Sequence, residues 1–158
     1  MRIQKKHLYH GCALAQIVEH QGFTSLEVEK SVDKASGAYG HYRINSSCEL
    51  FIKYRSAPDG ELIWNFKFEA DEVKRVCQRI IVVPNCFVAL VCAPEEICVL
   101  HIDDLKQLIK LGVRTREQRV TARLSPGCSF TVEGDKGQLP YTVRRKRFPE
   151  ALFCHLTT

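Results

Sequence analysis

The 158-residue sequence has no apolar run long enough to cross a bilayer. Its longest, Ile80–Pro84 and Phe87–Cys92, fall far short of the roughly 18 residues that a spanning helix needs. The basic opening Met1–His10 is not followed by the apolar stretch of about 7–15 residues that a secretory leader carries. These absences predict a cytoplasmic protein with no membrane partner. No Cys-x-x-Cys pair occurs among the eight cysteines. The closest, Cys86 with Cys92 and Cys92 with Cys98, are six residues apart, which matches no common zinc pattern. Several cysteines have apolar neighbours, as in Val91-Cys92, Ile97-Cys98-Val99 and Phe153-Cys154, so buried free thiols are expected rather than disulfides. Phosphate-binding Gly-rich loops, Gly-x-Gly-x-x-Gly, Gly-x-Ser-x-Gly and His-Glu-x-x-His are all missing. No repeat, low-complexity tract or linker divides the chain, so a single domain over residues 1–158 is expected.

What is present is an ordinary globular composition, with 45% hydrophobic and 26% charged residues. The charge is unevenly placed. Residues 1–100 hold 12 Lys/Arg and 12 Asp/Glu, whereas residues 101–158 hold 11 and 6, so the whole excess of 11 − 6 = +5 lies in the last third. That asymmetry points toward an anionic partner.

Periodicity predicts a helix over Lys5 to His20, with Leu8, Cys12 and Ala15 on its apolar face and Leu14, Ile17 and Val18 widening it. A second short helix is expected over Ser25 to Lys34. From Tyr39 the period changes to two. Residues 48–56 and 61–68 read as a hairpin about Ala57-Pro58-Asp59-Gly60. Glu69 to Arg79 is helical. Phe87–Cys92 reads as a strand buried on both faces, and Ile97–His101 as its short successor. A helix over Leu105 to Leu111 opens at Asp103-Asp104, where the helix dipole favours acids. Strands follow at about 118–124, 128–133 and 139–145. The predicted class is α+β, a mixed central sheet flanked by helices in the order α-β-β-β-α-β-β-α-β-β-β.

Helix, three strands, helix, strand is also the order of the PD-(D/E)XK nuclease superfamily, which it resembles in element order. Those enzymes hold Mg²⁺ with acids on the second and third core strands and use a Lys beside them. The resemblance implies Glu49 as a metal ligand, Asn65 in place of the second acid, and Lys67 or Lys53 as the phosphate-side cation. An active nuclease would require Mg²⁺, and Lys67→Ala would abolish cleavage. The neutral Asn65 departs from the active pattern, and alternation with Trp64, Phe66 and Phe68 also places Lys67 on a solvent face.

A second candidate is a DNA or RNA surface built from Arg114, Arg116, Arg119, Arg123, Arg144, Arg145, Lys146 and Arg147. Arginine's planar fork suits phosphate, and such clusters supply salt-sensitive affinity that ignores sequence. The bland alternative is a solvated charge face protecting a sheet edge. Tyr141 and Phe148 flank the basic run as stacking or core residues. His7, His10 and Cys12 with His20, Cys154 or His155 form a weaker metal candidate, and Cys98 with His101 a weaker nucleophile–base pair, since odd spacing on a strand separates their faces. A non-enzymatic protein-interaction or homodimerisation module is the competing function, by strand addition at a sheet edge.

Tyr42-Arg43-Ile44-Asn45, Phe51-Ile52-Lys53-Tyr54, Trp64-Asn65-Phe66-Lys67-Phe68, Val88-Ala89-Leu90-Val91-Cys92, Ile97-Cys98-Val99-Leu100 and Phe148-Pro149 with Leu152-Phe153 occur in succession. This succession resembles a family of uncharacterised bacterial proteins over about residues 7–153. The resemblance implies no activity and no catalytic residue. Most of these phrases are explained by strand packing, with Asn45 and Lys53 the polar exceptions.

Overall fold

The computed structural model describes residues 2–29, 39–112 and 116–154. Two sheets lie face to face. The larger contains β1 (Leu26–Val28), β2 (Tyr39–Ile44), β3 (Cys48–Arg55), β5 (Cys86–Cys92) and β6 (Glu96–His101) in the order β1-β2-β3-β5-β6; the smaller contains β4 (Ile63–Phe68), β7 (Gln118–Leu124) and β8 (Phe130–Gly134) in the order β4-β7-β8. The larger sheet is mixed, because β3 and β5 run parallel and its other pairs antiparallel. Helices α1 (Lys5–Val18), α2 (Ala70–Val82), α3 (Ile102–Leu108) and α4 (Glu150–Phe153) complete an α+β fold.

β3 and β5 are interior strands, and every residue of β5 is buried, as its unbroken apolar run predicts. Alternation divides their side chains between two cores. Leu50, Ile52, Phe87 and Ala89 pack with Ala13 and Ile17 of α1 and Leu152 of α4. Phe51, Val88 and Leu90 face the other way, onto Trp64, Phe66 and Phe68 of β4 and Val73 and Val76 of α2. The Trp64 indole N–H donates to the Ala93 carbonyl at 2.9 Å and pins the two sheets together.

The hairpin expected from residues 48–56 and 61–68 does not form: β3 and β4 lie in different sheets. Both edges of β3 are taken, by β2 and β5, so β4 meets β3 through its apolar face and pairs instead with β7. The Pro58–Gly60 turn folds locally, with the Asp59 N–H donating to the Ile63 carbonyl at 2.7 Å. Leu26–Val28 is a strand, not part of a helix. Asn45 explains why: its Oδ1 accepts from the Thr24 and Ser25 N–H groups at 2.7 and 3.2 Å, and its Nδ2 donates to the Gly22 carbonyl at 2.8 Å, laying that segment along β2. Residues 30–34 of the expected Ser25–Lys34 helix lie outside the described residues.

α1 buries only part of the expected face, Ile17 with Leu14 partly covered, and adds His10 and Ala13 to it. His10, Ala13 and Ile17 point inward, while Leu8, Cys12, Ala15 and Val18 are exposed. The His10 ring lies 3.2 Å from the Tyr42 hydroxyl, Tyr9 stacks on Tyr54, and the small Ala13 lets the helix approach the sheet. α3 begins ahead of the expected Leu105 because His101 caps it, accepting from the Asp103 N–H at 3.1 Å while Asp104 accepts from the His101 N–H at 3.0 Å. The third late strand is reduced to bridges at Gln138 and Val143 beside β8; Pro140 has no N–H to offer a ladder there. All eight cysteines are free thiols. Cys48, Cys86, Cys92 and Cys98 are buried, but Cys12, Cys128 and Cys154 are exposed, contrary to expectation.

Candidate functional site

The smaller sheet has one dry face and one open face. Trp64, Phe66 and Phe68 enter the core, so Asn65 and Lys67 face solvent. Antiparallel register sets Lys67 opposite Arg119, Asn65 opposite Thr121 and Ile63 opposite Arg123. On the far side of β7, Arg123 meets Thr131 and Thr121 meets Glu133. Val143 is buried and bridges to Phe130, so alternation turns the exposed Thr142 and Arg144 to the open side beside β8.

The open face therefore carries Lys67, Arg119, Arg123 and Arg144 together with the exposed Glu133, with no aromatic ring among its register neighbours. Lys67 is engaged: Glu117 at 3.2 Å and Glu69 at 3.3 Å accept from its ammonium and raise its pKa above the ordinary lysine value. Arg119, Arg123 and Arg144 form no ion pair with a described acid. Arg116 is exposed just ahead of β7, and Arg114 lies outside the described residues.

Past Arg144 the chain turns over the β6 edge. Arg145 reaches Glu96 at 3.4 Å, Lys146 is exposed, and Arg147 is half-buried. Phe148 is a core residue; Tyr141 is half-exposed, and its hydroxyl donates to Asp104.

The four residues of the nuclease comparison do not share a cleft. Glu49 and Lys53 lie on β3 facing the inter-sheet core, whereas Asn65 and Lys67 lie on the outer face of the other sheet. Each is also committed elsewhere. The Asn65 Oδ1 accepts from the Thr121 hydroxyl at 2.6 Å. The Lys53 ammonium donates to buried Glu72 and sits 4.8 Å over the Phe68 ring. Glu49, fully buried, accepts from Arg79 and from His41 Nε2, with Arg43 at 3.4 Å. Burial pushes the Glu49 carboxyl up, but these bonds outweigh it and hold the carboxyl below its ordinary value.

His41 stacks on Phe51 and takes a contact on Nδ1 from the Arg75 Nε–H at 3.4 Å. With Nδ1 accepting, the proton sits on Nε2 and is donated to Glu49. Burial pulls the His41 pKa below its ordinary value, against the opposing bond to Glu49. Arg43 extends the cluster to Glu29 at 2.9 Å and Glu27 at 3.5 Å. Three arginines thus meet three glutamates, so the network is balanced within itself. Sequence reasoning missed His41, Arg43 and Arg79; the signal for the first two was a histidine and an arginine flanking Tyr42 on the interior strand β2, with Arg43 opposite Glu49, whereas Arg79 comes from α2.

The metal and nucleophile candidates also separate. The His7 ring accepts from the Gln4 N–H at 3.1 Å, His10 meets Tyr42, and His20 stacks on Phe153 and contacts Glu150 at 3.0 Å. His155 lies outside the described residues. Cys98 points into the inter-sheet core, and His101 packs edge-on against Phe87 on the other face. Among the described residues no three His, Cys, Asp or Glu side chains converge as metal ligands. Compared with protein-family models, with curated proteins and with solved structures, the chain gives no match.

Proposed function

We propose that the chain is a nucleic-acid-docking domain that holds DNA or RNA by its phosphates on the open face of the β4-β7-β8 sheet, without cutting it. The observation carrying this reading is that Arg119, Arg123 and Arg144 stand on that face with no ion pair to a described acid. Arg119 and Arg123 lie on one side of β7, about 13 Å apart at 3.3 Å per residue. Guanidinium groups on a flat polar surface offer bidentate bonds to successive phosphates. Without aromatic rings the face has nothing to stack bases on, so the reading is of backbone contact that discriminates little between sequences.

Cleavage is left out because a nuclease centre needs its acids and lysine around one metal ion. Glu49 is engaged by Arg79 and His41, and Lys67 lies on another sheet facing solvent. The test is fluorescence anisotropy with a labelled single-stranded oligonucleotide at low salt. Arg119→Glu with Arg123→Glu is expected to weaken binding at least tenfold, and the oligonucleotide is expected to stay intact with Mg²⁺ present. Undiminished binding by the double variant contradicts the assigned face. Cleavage contradicts the non-cutting reading.

A further inference from the structure

Beyond the open sheet face, Arg144, Arg145, Lys146 and Arg147 line a hollow of about 330 Å³, closed on its other side by Glu150 and Ala151 of α4. Three independent features mark it. Lys146 has a φ of 59°, the left-handed region that a lysine rarely adopts; strained backbone of this kind gathers at ligand sites. The main-chain N–H groups of Arg145 and Lys146, inside the turn from Arg144 to Arg147, donate to no described residue, and unpartnered N–H groups in a turn suit an anion. The charges also leave a defined remainder. Glu96 contacts Arg145 at 3.4 Å and Glu150 contacts His20 at 3.0 Å, so four cations against two carboxylates leave 4 − 2 = +2.

A phosphate monoester carries close to two negative charges at neutral pH. A diester carries one, so a monoester matches the remaining charge of the hollow more nearly. Arg144 belongs both to the open face and to the wall of the hollow, so a strand crossing Arg119 and Arg123 is led toward it. We propose that the hollow takes the terminal phosphate monoester of a nucleic-acid strand whose backbone lies on the sheet; this rests on the docking function proposed above.

The experiment measures anisotropy of the same short single strand bearing either a 5′-phosphate or a 5′-hydroxyl, with wild-type protein, Arg147→Gln and Lys146→Gly. Glycine keeps the left-handed turn while removing the cation, so Lys146→Gly remains informative if Arg147→Gln fails to fold. The phosphorylated strand is expected to bind at least tenfold more tightly. Both variants are expected to shrink that ratio while leaving the hydroxyl strand's affinity nearly unchanged. Equal binding of the two strands overturns the terminal-phosphate inference and leaves the docking function standing. Binding of neither strand overturns both. A nucleoside 5′-monophosphate bound as tightly as the phosphorylated strand reassigns the hollow to a free nucleotide and overturns the strand-end claim.

Discussion

A charge taken out of water must find its counter-charge in the fold, and two sites in this protein meet that demand differently. Lys53 and Glu72 form one nearly dry pair under the Phe68 ring. Removing Glu72 strands the Lys53 ammonium in a low-dielectric interior at a cost of about 3–5 kcal/mol, whereas replacing both with apolar groups of similar volume is close to neutral. Lys53→Met and Glu72→Leu are each expected to lower the urea midpoint sharply, and the double variant to recover most of the loss. A single variant as stable as the parent contradicts the burial of the pair. His41 is the second site. Its pKa is lowered in the fold from the ordinary 6.5, chiefly by burial, so the unfolded chain binds the proton more readily. Its contribution is therefore complete above pH 6.5 and is lost as the pH falls from there through the lowered folded value. Glu49, lowered from 4.5, adds a second loss in the same direction at more acid pH. Thermal melts are expected to fall as the pH drops below about 6.5, with the slope flattened in His41→Gln. An equal slope in both proteins shows that another group is responsible.

At the scale of elements, close approach governs how the two halves meet. A Cβ at Gly134 on β8 would lie 2.3 Å from the Leu108 carbonyl oxygen at the end of α3. Gly134→Ala therefore forces α3 off the smaller sheet and is expected to cost about 1–3 kcal/mol, readable as a lower urea midpoint with the open face intact. Gly112→Ala, with open space around it, is the control. Such contacts join residues far apart in sequence, and this separates what local pattern discloses from what it does not. The period-two runs of β3, β4 and β7 and the apolar run of β5 were legible, because each strand's own neighbours decide them. The partnering of β4 with β7 was not, because it follows from β3 having both edges filled by β2 and β5. The inward face of α1 was missed in part for a similar reason: the Tyr42 and Tyr54 rings that receive His10 and Tyr9 are decided by the sheet. Of the candidate site, the basic tail was visible in composition. The burial of Glu49 and Lys53 was not, since alternation marks two faces of a strand but does not say that both are covered.

For the molecule as a whole, the excess charge of the last third is distributed over two connected places. Arg119, Arg123 and Arg144 lie on the open sheet face, and the Arg144–Arg147 turn passes over the β6 edge. Several acids of the first hundred residues are paired within the fold, with Glu27, Glu29 and Glu49 held by arginines and Glu72 by Lys53. What the surface offers an anion is thus the smaller sheet and its rim. Phosphate contact releases counter-ions, so the strength of binding must fall with salt in proportion to the phosphates neutralised. The most direct measurement is a titration of single-stranded oligonucleotide binding across salt concentrations. With Arg119, Arg123 and Arg144 each meeting a phosphate, log K is expected to fall against log salt with a slope of about −2, and with about a third of that slope in Arg119→Gln with Arg123→Gln. A slope near zero, or one that the double variant leaves unchanged, contradicts the account.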